Sequence, residues 1–478
     1  MRGAPPFVIL GGGPCGLAAA WELARLGHKP IVLEREPLVG GLCATHTRGD
    51  YRFDLGGHRF VSSDADLSRW LESLLGDDLL ERERRSVVLH EGRRFRYPLE
   101  ARDLIKNLGV RENARALVGY GQARMKRALG AQPRARDESF EDWVTARFGR
   151  PLYETFFGPY TQKLWGVAPS AISADWAAER ISLLDLGDAA LRLARLRSAP
   201  IRTYARRYRY PRFGMGQLYE AIARDVIAHG GEVRTSSRVV ALDTSGHRVV
   251  GVWIEGPRGR ERVPVGELLA TTPLPELARQ LRRDLPDDLE RAARAVRFRA
   301  LTFVNLMLRR RDFSENTWTY VASGGLKISR IQEPKRRSEA MAPPDRTSIM
   351  LEIPCDAGDE TWRAPIEVLR EQVGVELRAL GFELNDVTDA FTVRVEHGYP
   401  IYHLGYERDR QALLLEVSRY ANVRVAGRQA LFRYIFMDAA MQMGVSAARQ
   451  MIEGRSRPKE LDAIGRSTTL VEARAITA

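Results

Sequence analysis

The glycine-rich segment 11–16 (GGGPCG) restricts the fold of this chain more than any other feature. It follows a short apolar run at residues 7–10 and precedes alanines and leucines at helical spacing. A second apolar run, residues 30–33, ends at the acidic residue Glu34. A parallel β-α-β unit typically shows one order of features within about thirty residues: a strand, the motif G-x-G-x-x-G, a helix, a second strand and an acidic residue. The pattern therefore predicts an α/β domain at the amino terminus.

The same residues predict a dinucleotide site in this unit. Gly11 permits the tight turn, Gly13 lets a pyrophosphate approach the backbone, and Gly16 lets the helix pack on the strand. The helix amino terminus offers free N–H groups to the pyrophosphate, and Glu34 can accept hydrogen bonds from a ribose hydroxyl. A glycine-rich turn without a ligand is the alternative. The other contacts expected here come from Pro14, Cys15 and Arg35.

Composition places the chain among ordinary globular proteins. Of its 478 residues, 44% are hydrophobic and 28% are charged, and this length favours two or three domains. The cysteines Cys15, Cys43 and Cys355 are too few and too scattered for a disulfide scaffold or a zinc site, so no metal is expected. They indicate a reducing compartment, and we predict a cytoplasmic protein.

The net charge of +13 leaves two interpretations open. It can reflect a solvated arginine-rich surface, or contact with an anionic partner such as a diphosphate or a membrane surface. The basic segment 192–212 is interpreted first as a solvated helix face, with a phosphate-bearing substrate or a peripheral membrane contact as alternatives. Because nucleic-acid motifs, a membrane-spanning stretch and a signal peptide are not recognised, we expect a small-molecule substrate and no nucleic acid.

Two further glycine motifs follow the acidic residue. Gly40 and Gly41 precede Leu42, and Gly56 and Gly57 precede His58. With the first motif, this combination resembles the large flavoprotein superfamily of amine oxidases, protoporphyrinogen oxidases and UDP-galactopyranose mutases. The resemblance implies non-covalently bound FAD, with the first glycine pair at its phosphates and the second loop against the isoalloxazine ring.

A segment near the carboxyl end, residues 427–439 (GRQALFRYIFMDA), also resembles this superfamily. There a Gly-Arg strand end leads into a helix, whose free N–H groups can stabilise negative charge at the N1–C2=O edge of the flavin. Further FAD contacts are expected from Val239, Gly427, Arg428, Met437 and Asp438.

The fold class that follows is α/β. A Rossmann-like FAD-binding domain of the glutathione reductase type is expected, with a helical insertion and a mixed β-sheet substrate domain. The boundaries we expect are 1–80, 213–280 and 405–455 for the FAD-binding domain, 81–212 for the mainly helical insertion, 281–404 for the β-rich domain and 456–478 for a mobile tail.

Residues 149–166 are similar to a segment of the UDP-galactopyranose mutases, in which a tyrosine stacks on uracil and a tryptophan lies by the sugar. Tyr160 and Trp165 occupy those positions, and Tyr399 matches a tyrosine that touches the diphosphate. Packing in the core of the helical domain is the alternative for Tyr160 and Trp165, and a strand end with a proline turn is the alternative for Tyr399. The other substrate contacts expected are Lys163, Tyr402 and Tyr434.

The chain departs from the mutases at positions that matter for substrate binding. The mutase-like loop contains a second histidine, and the corresponding segment, which ends at Ser62, has none. Ile435 and Phe436 replace two asparagines. Leu351 stands where the mutases carry an arginine. Fewer polar groups bind a sugar diphosphate less well. The substitutions predict a more apolar flavin pocket.

Three functions remain open at this point. The first is an FAD-dependent oxidoreductase that transfers a hydride from an organic substrate to flavin N5. The second is a redox-neutral mutase of nucleotide sugars that uses reduced FAD, and the third is a binding protein without catalysis. No general base is assigned, and the oligomeric state is left open. The polar residues expected at the reacting centre are His58, Arg59 and Arg433.

Overall fold

The structure is a computed structural model that describes residues 6–97, 106–129, 139–180 and 207–467. Most of the basic segment, residues 192–206, lies outside the described residues, as do residues 468–478 of the expected tail. The described part confirms the predicted α/β fold class, because it contains one all-parallel sheet and one large mixed sheet.

The parallel sheet has five strands drawn from distant parts of the chain. Val8, Ile9 and Leu10 have no exposed surface, because helices or a second sheet cover both faces, as is usual for parallel sheets. In spatial order the strands are Val423–Val425, Glu267–Ala270, Phe7–Leu10, Ile31–Leu33 and Glu232–Arg234.

Helices cover one face of this sheet, and an antiparallel sheet with further helices covers the other. The first layer contains Pro14–Arg25, Gly216–Ala228 and Met437–Ile452. The second contains the strands Arg238–Ser245, Arg248–Gly256 and Gly259–Pro264 and the helices Leu274–Leu281, Asp287–Ala295 and Tyr406–Ser418.

Two glycines let the helices of the first layer and the first strand approach closely. A Cβ atom on Gly16 would lie 2.0 Å from the carbonyl oxygen of Gly11. A Cβ atom on Gly444 would lie 2.1 Å from the carbonyl oxygen of Cys15, so the helix Met437–Ile452 crosses Pro14–Arg25 with backbone against backbone.

The mixed sheet has seven strands. Its neighbours pair antiparallel, except that Trp318–Val321 runs parallel to Ser86–His90. The helix Ile366–Ala379 covers one face, where Leu369 and Leu377 are fully buried. In spatial order the strands are Val387–Pro400, Phe298–Leu308, Thr347–Cys355, Arg330–Gln332, Trp318–Val321, Ser86–His90 and Arg93–Arg96.

The expected helical insertion therefore contributes strands as well as helices. Ser86–His90 and Arg93–Arg96 extend the mixed sheet, although they fall in the range 81–212. Arg207–Pro211 is a strand paired with Leu79–Glu83, so a helix face is the wrong interpretation for these residues. The helices of this region are Val110–Ala128, Phe140–Phe148, Gly158–Trp165 and Ala174–Arg180, with a π-helical turn at Tyr153–Phe157.

The remaining elements are short. The hairpin Thr45–Arg48 and Tyr51–Asp54 and the helix Ala65–Leu75 follow the first β-α-β unit. The prediction of a mobile tail is wrong for Pro458–Ser467, which forms a helix. Its Leu461 is buried in the first layer, and Asp462 pairs with buried arginines. The polar composition of the segment gave no sign of these specific contacts.

Candidate active site

A cavity of about 940 Å³ separates the parallel sheet from the mixed sheet. It begins at the carboxyl ends of the parallel strands, where Gly11, Glu34 and Thr271 line it. Crevices at this edge of open α/β sheets are where such folds bind ligands. It continues to the mixed sheet, which contributes Leu301 and Phe303.

Glu34 joins the first two strand ends. The backbone N–H of Gly12 donates to Oε2 of Glu34 at 2.7 Å, and the N–H of Glu36 donates to Oε1 at 2.8 Å. Burial raises the pKa of this carboxyl group, although both backbone hydrogen bonds and nearby Arg35 oppose the rise. The carboxyl group is thus held at the cavity wall, where a ribose hydroxyl can reach it.

The two glycine loops face each other across a narrow gap. The N–H of Gly40 donates to the carbonyl oxygen of Gly12 at 2.8 Å. A Cβ atom on Gly41, which has a φ of 54°, would lie 3.3 Å from the Cα of Gly13. Side chains in this gap would fill the space that a pyrophosphate needs, so both loops fit a dinucleotide.

Two helix amino termini point into the same cavity. Pro14–Arg25 begins after Gly13 and Met437–Ile452 begins after Phe436, and no side chain caps either helix. The first turns of both helices line the cavity. Uncapped N–H groups favour negative charge, which a dinucleotide supplies at its phosphates and at the flavin N1–C2=O edge.

The loop at Gly56 and Gly57 brings His58 to the cavity wall. Nδ1 of His58 lies 3.8 Å from Sγ of Cys43. Burial, followed by the nearby cations Arg428 and Arg337, lowers the pKa of His58 to about 3. His58 is therefore neutral near pH 7 and cannot act there as a protonated acid.

We expect His58 to make the protein less stable as the pH falls. Its pKa is 6.5 when unfolded and about 3 when folded, so below pH 6.5 the unfolded chain binds more protons. Stability is therefore lost between pH 6.5 and 3, by at most about 1.4 kcal/mol per pH unit. Urea unfolding of wild type and His58→Gln at pH 7 and pH 5 measures this. The variant should lose part of the pH dependence, whereas His229→Gln, at an exposed site, should keep it all.

The far end of the cavity is aromatic and contains a buried ion pair. The hydroxyl of Tyr399 donates to Oε1 of Glu352 at 2.9 Å. Nη1 of Arg330 lies 3.6 Å from Oε2 of the same carboxylate, and its guanidinium sits over the ring of Tyr320 at 5.4 Å. Burial raises the pKa of Tyr160, so this phenol stays protonated. The aromatic residues that line this end are Tyr97, Phe156, Phe157, Tyr160, Trp176, Tyr320, Tyr399 and Tyr434.

Arg330 is a functional candidate that the sequence analysis missed. It pairs in register with Glu352 on the neighbouring strand, whereas Leu351 is buried on the opposite face of the sheet. The polar, apolar and polar residues of 330–332 (RIQ) were the available signal for a short strand with one polar face. Arg59 and Arg84 also line the cavity, each over the ring of Trp318. This end of the cavity therefore combines three arginines with its aromatic residues.

Arg433 does not line the cavity, although the sequence analysis placed it at the reacting centre. Its guanidinium donates to the hydroxyl of Tyr406 at 3.1 Å and pairs with Glu407 and Asp462. These contacts tie the segment before the last long helix to the helix Pro458–Ser467. We therefore assign Arg433 a packing role and no longer treat it as a catalytic candidate.

Three of the expected substrate residues are held away from the cavity lining. Nζ of Lys163 donates to two backbone carbonyl oxygens at 2.8 and 3.1 Å. Trp165 is 2% exposed and packs edge-on against Trp176. The hydroxyl of Tyr402 accepts a hydrogen bond from the N–H of Tyr434, and its side chain is buried. Core packing, the alternative interpretation of Trp165, describes that residue, while hydrogen bonds within the protein hold Lys163 and Tyr402.

Most of the other predicted residues do meet in this one cavity. Gly16 and Gly40 instead shape the loops behind the lining. The predicted residues that line the cavity are Gly11, Gly13, Pro14, Cys15, Glu34, Arg35, Gly41, Leu42, Gly56, Gly57, His58, Arg59, Tyr160, Val239, Tyr399, Gly427, Arg428, Tyr434, Met437 and Asp438.

The family model of the flavin containing amine oxidoreductases matches this chain over residues 14–452. The chain belongs to this family. Among curated relatives, the chloroplastic protoporphyrinogen oxidase of Oryza sativa subsp. japonica is 25% identical over 315 residues, 59% of this chain and 56% of the relative. A probable UDP-galactopyranose mutase of Klebsiella pneumoniae is 23% identical over 176 residues, 35% of this chain and 43% of the relative. The chain matches only 31% to 56% of the length of the plant protoporphyrinogen oxidases.

Solved structures share the fold over almost the whole chain. The crystal structure of reduced UDP-galactopyranose mutase has a TM-score of 0.79 and 21% identity, covering 98% of this chain and 99% of its own. A putative protoporphyrinogen oxidase from Exiguobacterium sp. 255-15 has a TM-score of 0.69 and 19% identity, covering 94% of this chain and 98% of its own. At these identities the likeness establishes the fold alone.

FAD is the cofactor, and the residues around the cavity fit it. Glu34 would take the ribose, the glycine loops and the helix Pro14–Arg25 would take the phosphates, and the helix Met437–Ile452 would take the flavin end, because all of them line the cavity. Burial raises the pKa of the Cys15 thiol, which keeps it protonated and unsuited to a covalent link. Among the described residues, no helix is long and apolar enough to cross a membrane, and no cluster of three potential metal ligands occurs.

Proposed function

We propose that the protein is an FAD-dependent oxidoreductase that oxidises a small organic substrate in the aromatic end of the cavity. One observation carries the proposal: a single cavity runs without interruption from Glu34, past His58, to Tyr160 and Arg330. A cofactor held at the first end and a substrate held at the other would meet at the loop of Gly56 and Gly57. Membership in an oxidoreductase family favours this function over a binding protein without catalysis.

Bound FAD supplies a hydride acceptor for this reaction. The protein's own residues would position the substrate and exclude water. Tyr160 and Tyr320 offer ring faces or edges for stacking, while Arg330 offers a charge that Glu352 keeps fixed. His58 is neutral and Tyr399 stays protonated, because burial raises the pKa of this phenol well above its usual value. A hydride transfer does not require a protein base at these positions.

The charge at the aromatic end favours a substrate that combines a flat or cyclic body with an anionic group. Arg59, Arg84 and Arg330 line the cavity near Tyr97 and Tyr320. Arginine forks bind carboxylates and phosphates in two-point contacts, and aromatic faces hold conjugated rings. The class includes porphyrinogens with carboxylate arms as well as phosphate-linked compounds.

The arginines also support a second function, a redox-neutral isomerisation of a nucleotide sugar. A diphosphate requires cations such as Arg330, and the overall fold is similar to that of reduced UDP-galactopyranose mutase. Against it, Trp165, expected beside the sugar, is buried in the core. We therefore place this function second.

Anaerobic titration of the oxidised holoenzyme distinguishes the two functions. Amines, porphyrinogens and UDP-sugars are added in turn while the absorbance of oxidised flavin is followed. Bleaching by one compound is the result expected for an oxidoreductase. If no compound bleaches the flavin, but the dithionite-reduced enzyme interconverts the pyranose and furanose forms of a UDP-sugar, the first proposal is wrong and the second holds.

We expect the variant Arg330→Met to bind an anionic substrate about 10- to 100-fold more weakly, because a hydrogen-bonded charge contributes roughly 1.5–3 kcal/mol. The dissociation constant or KM of the compound that bleaches the flavin measures the effect. Arg330→Lys keeps the charge beside Glu352 and should recover part of the loss. Arg48→Met, at an exposed pair with Asp389, is the control and should bind normally. Unchanged affinity in Arg330→Met would remove Arg330 from the substrate site.

A further inference from the structure

The helix Val110–Ala128 turns large apolar side chains outwards from the described part of the protein. Leu117, Val118 and Met125 are 59% to 63% exposed, and Val110 and Leu129 are 88% and 79% exposed. Single exposed apolar residues are common on soluble proteins, but four on one helix, with Leu129 directly after its end, are not explained by chance exposure.

These residues share one face of the helix. At about 100° per residue, positions 110, 114, 117, 118, 121, 125 and 129 fall within an arc of roughly 120°. The opposite face contains Gly119 and Ala123, which are buried against the rest of the protein. A Cβ atom on Gly119 would lie 2.6 Å from Cδ of Pro151, so small residues form the packed face. The helix is amphipathic with its large apolar residues turned outwards.

Cations border the apolar face on both sides. Arg124 follows one edge, and Arg111, Arg115 and Lys126 follow the other, all of them exposed. The acidic residue Glu112 lies about 100° beyond that second edge and pairs with Arg93 at 2.6 Å. An apolar stripe bordered by arginine and lysine is the pattern of a helix that lies in a bilayer interface among anionic headgroups.

We propose that this helix binds the surface of a phospholipid bilayer that contains anionic lipids. The apolar stripe would enter the acyl boundary, while Arg111, Arg115, Arg124 and Lys126 would contact lipid phosphates. A second copy of the chain is a poorer occupant, because a two-fold contact along this stripe brings the same cations against each other. The overall charge of +13 adds a general attraction to anionic membranes.

Co-sedimentation with lipid vesicles tests the proposal on the purified holoenzyme. Vesicles of phosphatidylcholine alone are compared with vesicles that also contain phosphatidylglycerol, at low and high salt. The wild type should bind the anionic vesicles and lose much of this binding in high salt. The double variant Leu117→Glu/Met125→Glu should bind about tenfold or more weakly, because two apolar side chains no longer enter the bilayer.

The matched control is Leu415→Glu, which adds a charge at an apolar residue that is 71% exposed on the helix Tyr406–Ser418. It should bind vesicles like the wild type, and all variants should retain flavin absorbance as a check on folding. The proposal is overturned if the wild type ignores anionic vesicles or if the double variant binds them equally well. A wild-type dimer that the double variant converts to monomers, without vesicle binding, would identify the stripe as a contact between copies and also overturn it.

Discussion

Replacing Gly444 by alanine should deprive the protein of most of its FAD. The added methyl group would lie 2.1 Å from the carbonyl oxygen of Cys15 and 3.0 Å from the backbone nitrogen of Ala19. Both contacts are with backbone, so the two helices must separate. Overpacking of this kind costs about 1–3 kcal/mol and occasionally more.

The loss falls on FAD because both helices begin at the cavity. Pro14 and Met437 mark their first turns, and a shift of either helix moves uncapped N–H groups away from the cofactor. We expect the dissociation constant for FAD to rise about tenfold or more, since 1.4 kcal/mol corresponds to a factor of ten. The ratio of flavin to protein after desalting, and titration of the apoprotein with FAD, measure it.

The control is a second glycine-to-alanine substitution in a helix. A Cβ atom on Gly121 meets no atom within 4 Å, so Gly121→Ala should retain its FAD and be as stable as the wild type or slightly more stable. If Gly444→Ala retained the wild-type flavin content and melting temperature, the close helix crossing would not matter for the cofactor site.

Removal of the Asp54 carboxylate should cost about 3–5 kcal/mol of folding stability, because it leaves a buried arginine without its counter-charge. Asp54 and Arg337 are each about 1% exposed, and Nη1 of Arg337 lies 3.5 Å from Oδ2 of Asp54. The same carboxylate accepts hydrogen bonds from the hydroxyls of Tyr210 and Thr45 and from the N–H of Met215. All of these donors lose their acceptor in Asp54→Ala.

This network anchors the loop that reaches the flavin end of the cavity. Asp54 lies two residues before Gly56, and Arg337 also hydrogen-bonds Gln332, whose side chain lies near Gly57. We therefore expect Asp54→Ala to weaken FAD binding as well as folding. Urea unfolding of the holoenzyme and of the apoprotein separates the two effects.

A double substitution tests the electrostatic origin of this loss. Asp54→Leu/Arg337→Met removes both charges and should recover part of the stability lost in Asp54→Leu, since apolar replacement of a buried pair is often tolerated. The surface variant Asp389→Ala, which breaks the exposed pair with Arg48, should leave the unfolding midpoint unchanged. A double variant no more stable than Asp54→Leu would show that lost hydrogen bonds, not an orphaned charge, cause the effect.

The local sequence was sufficient to predict structural features that are formed by residues close together in the chain. Segment 11–16 and Glu34 predicted the β-α-β unit, because glycine and acid positions are fixed by one turn and two adjacent strands. The helix Ile366–Ala379 has a similarly local origin, since its apolar spacing is complete within the segment.

The local sequence did not predict the role of a residue whose partner comes from a distant segment. Arg433 and Arg330 are both arginines, yet the first pairs with Asp462 in a late helix and the second faces the cavity beside Glu352. Trp165 matched a substrate position by spacing but turned inwards, because Trp176 packs over it. The partners that decide these outcomes, such as Asp462, Glu352 and Trp176, lie outside the segments that contain the three residues.

The sequence by itself determined the fold class and the glycine loops of a dinucleotide site, because these depend on turns and helix starts encoded within short segments, and its resemblance to known flavoproteins implied FAD. Only the tertiary structure decided which charged and aromatic side chains meet at the substrate end. That choice depends on the register between strands such as Arg330–Gln332 and Thr347–Cys355, and on which side chains other elements cover. Strand register and side-chain burial both arise from packing between segments that are far apart in the sequence, and no local pattern specifies this packing.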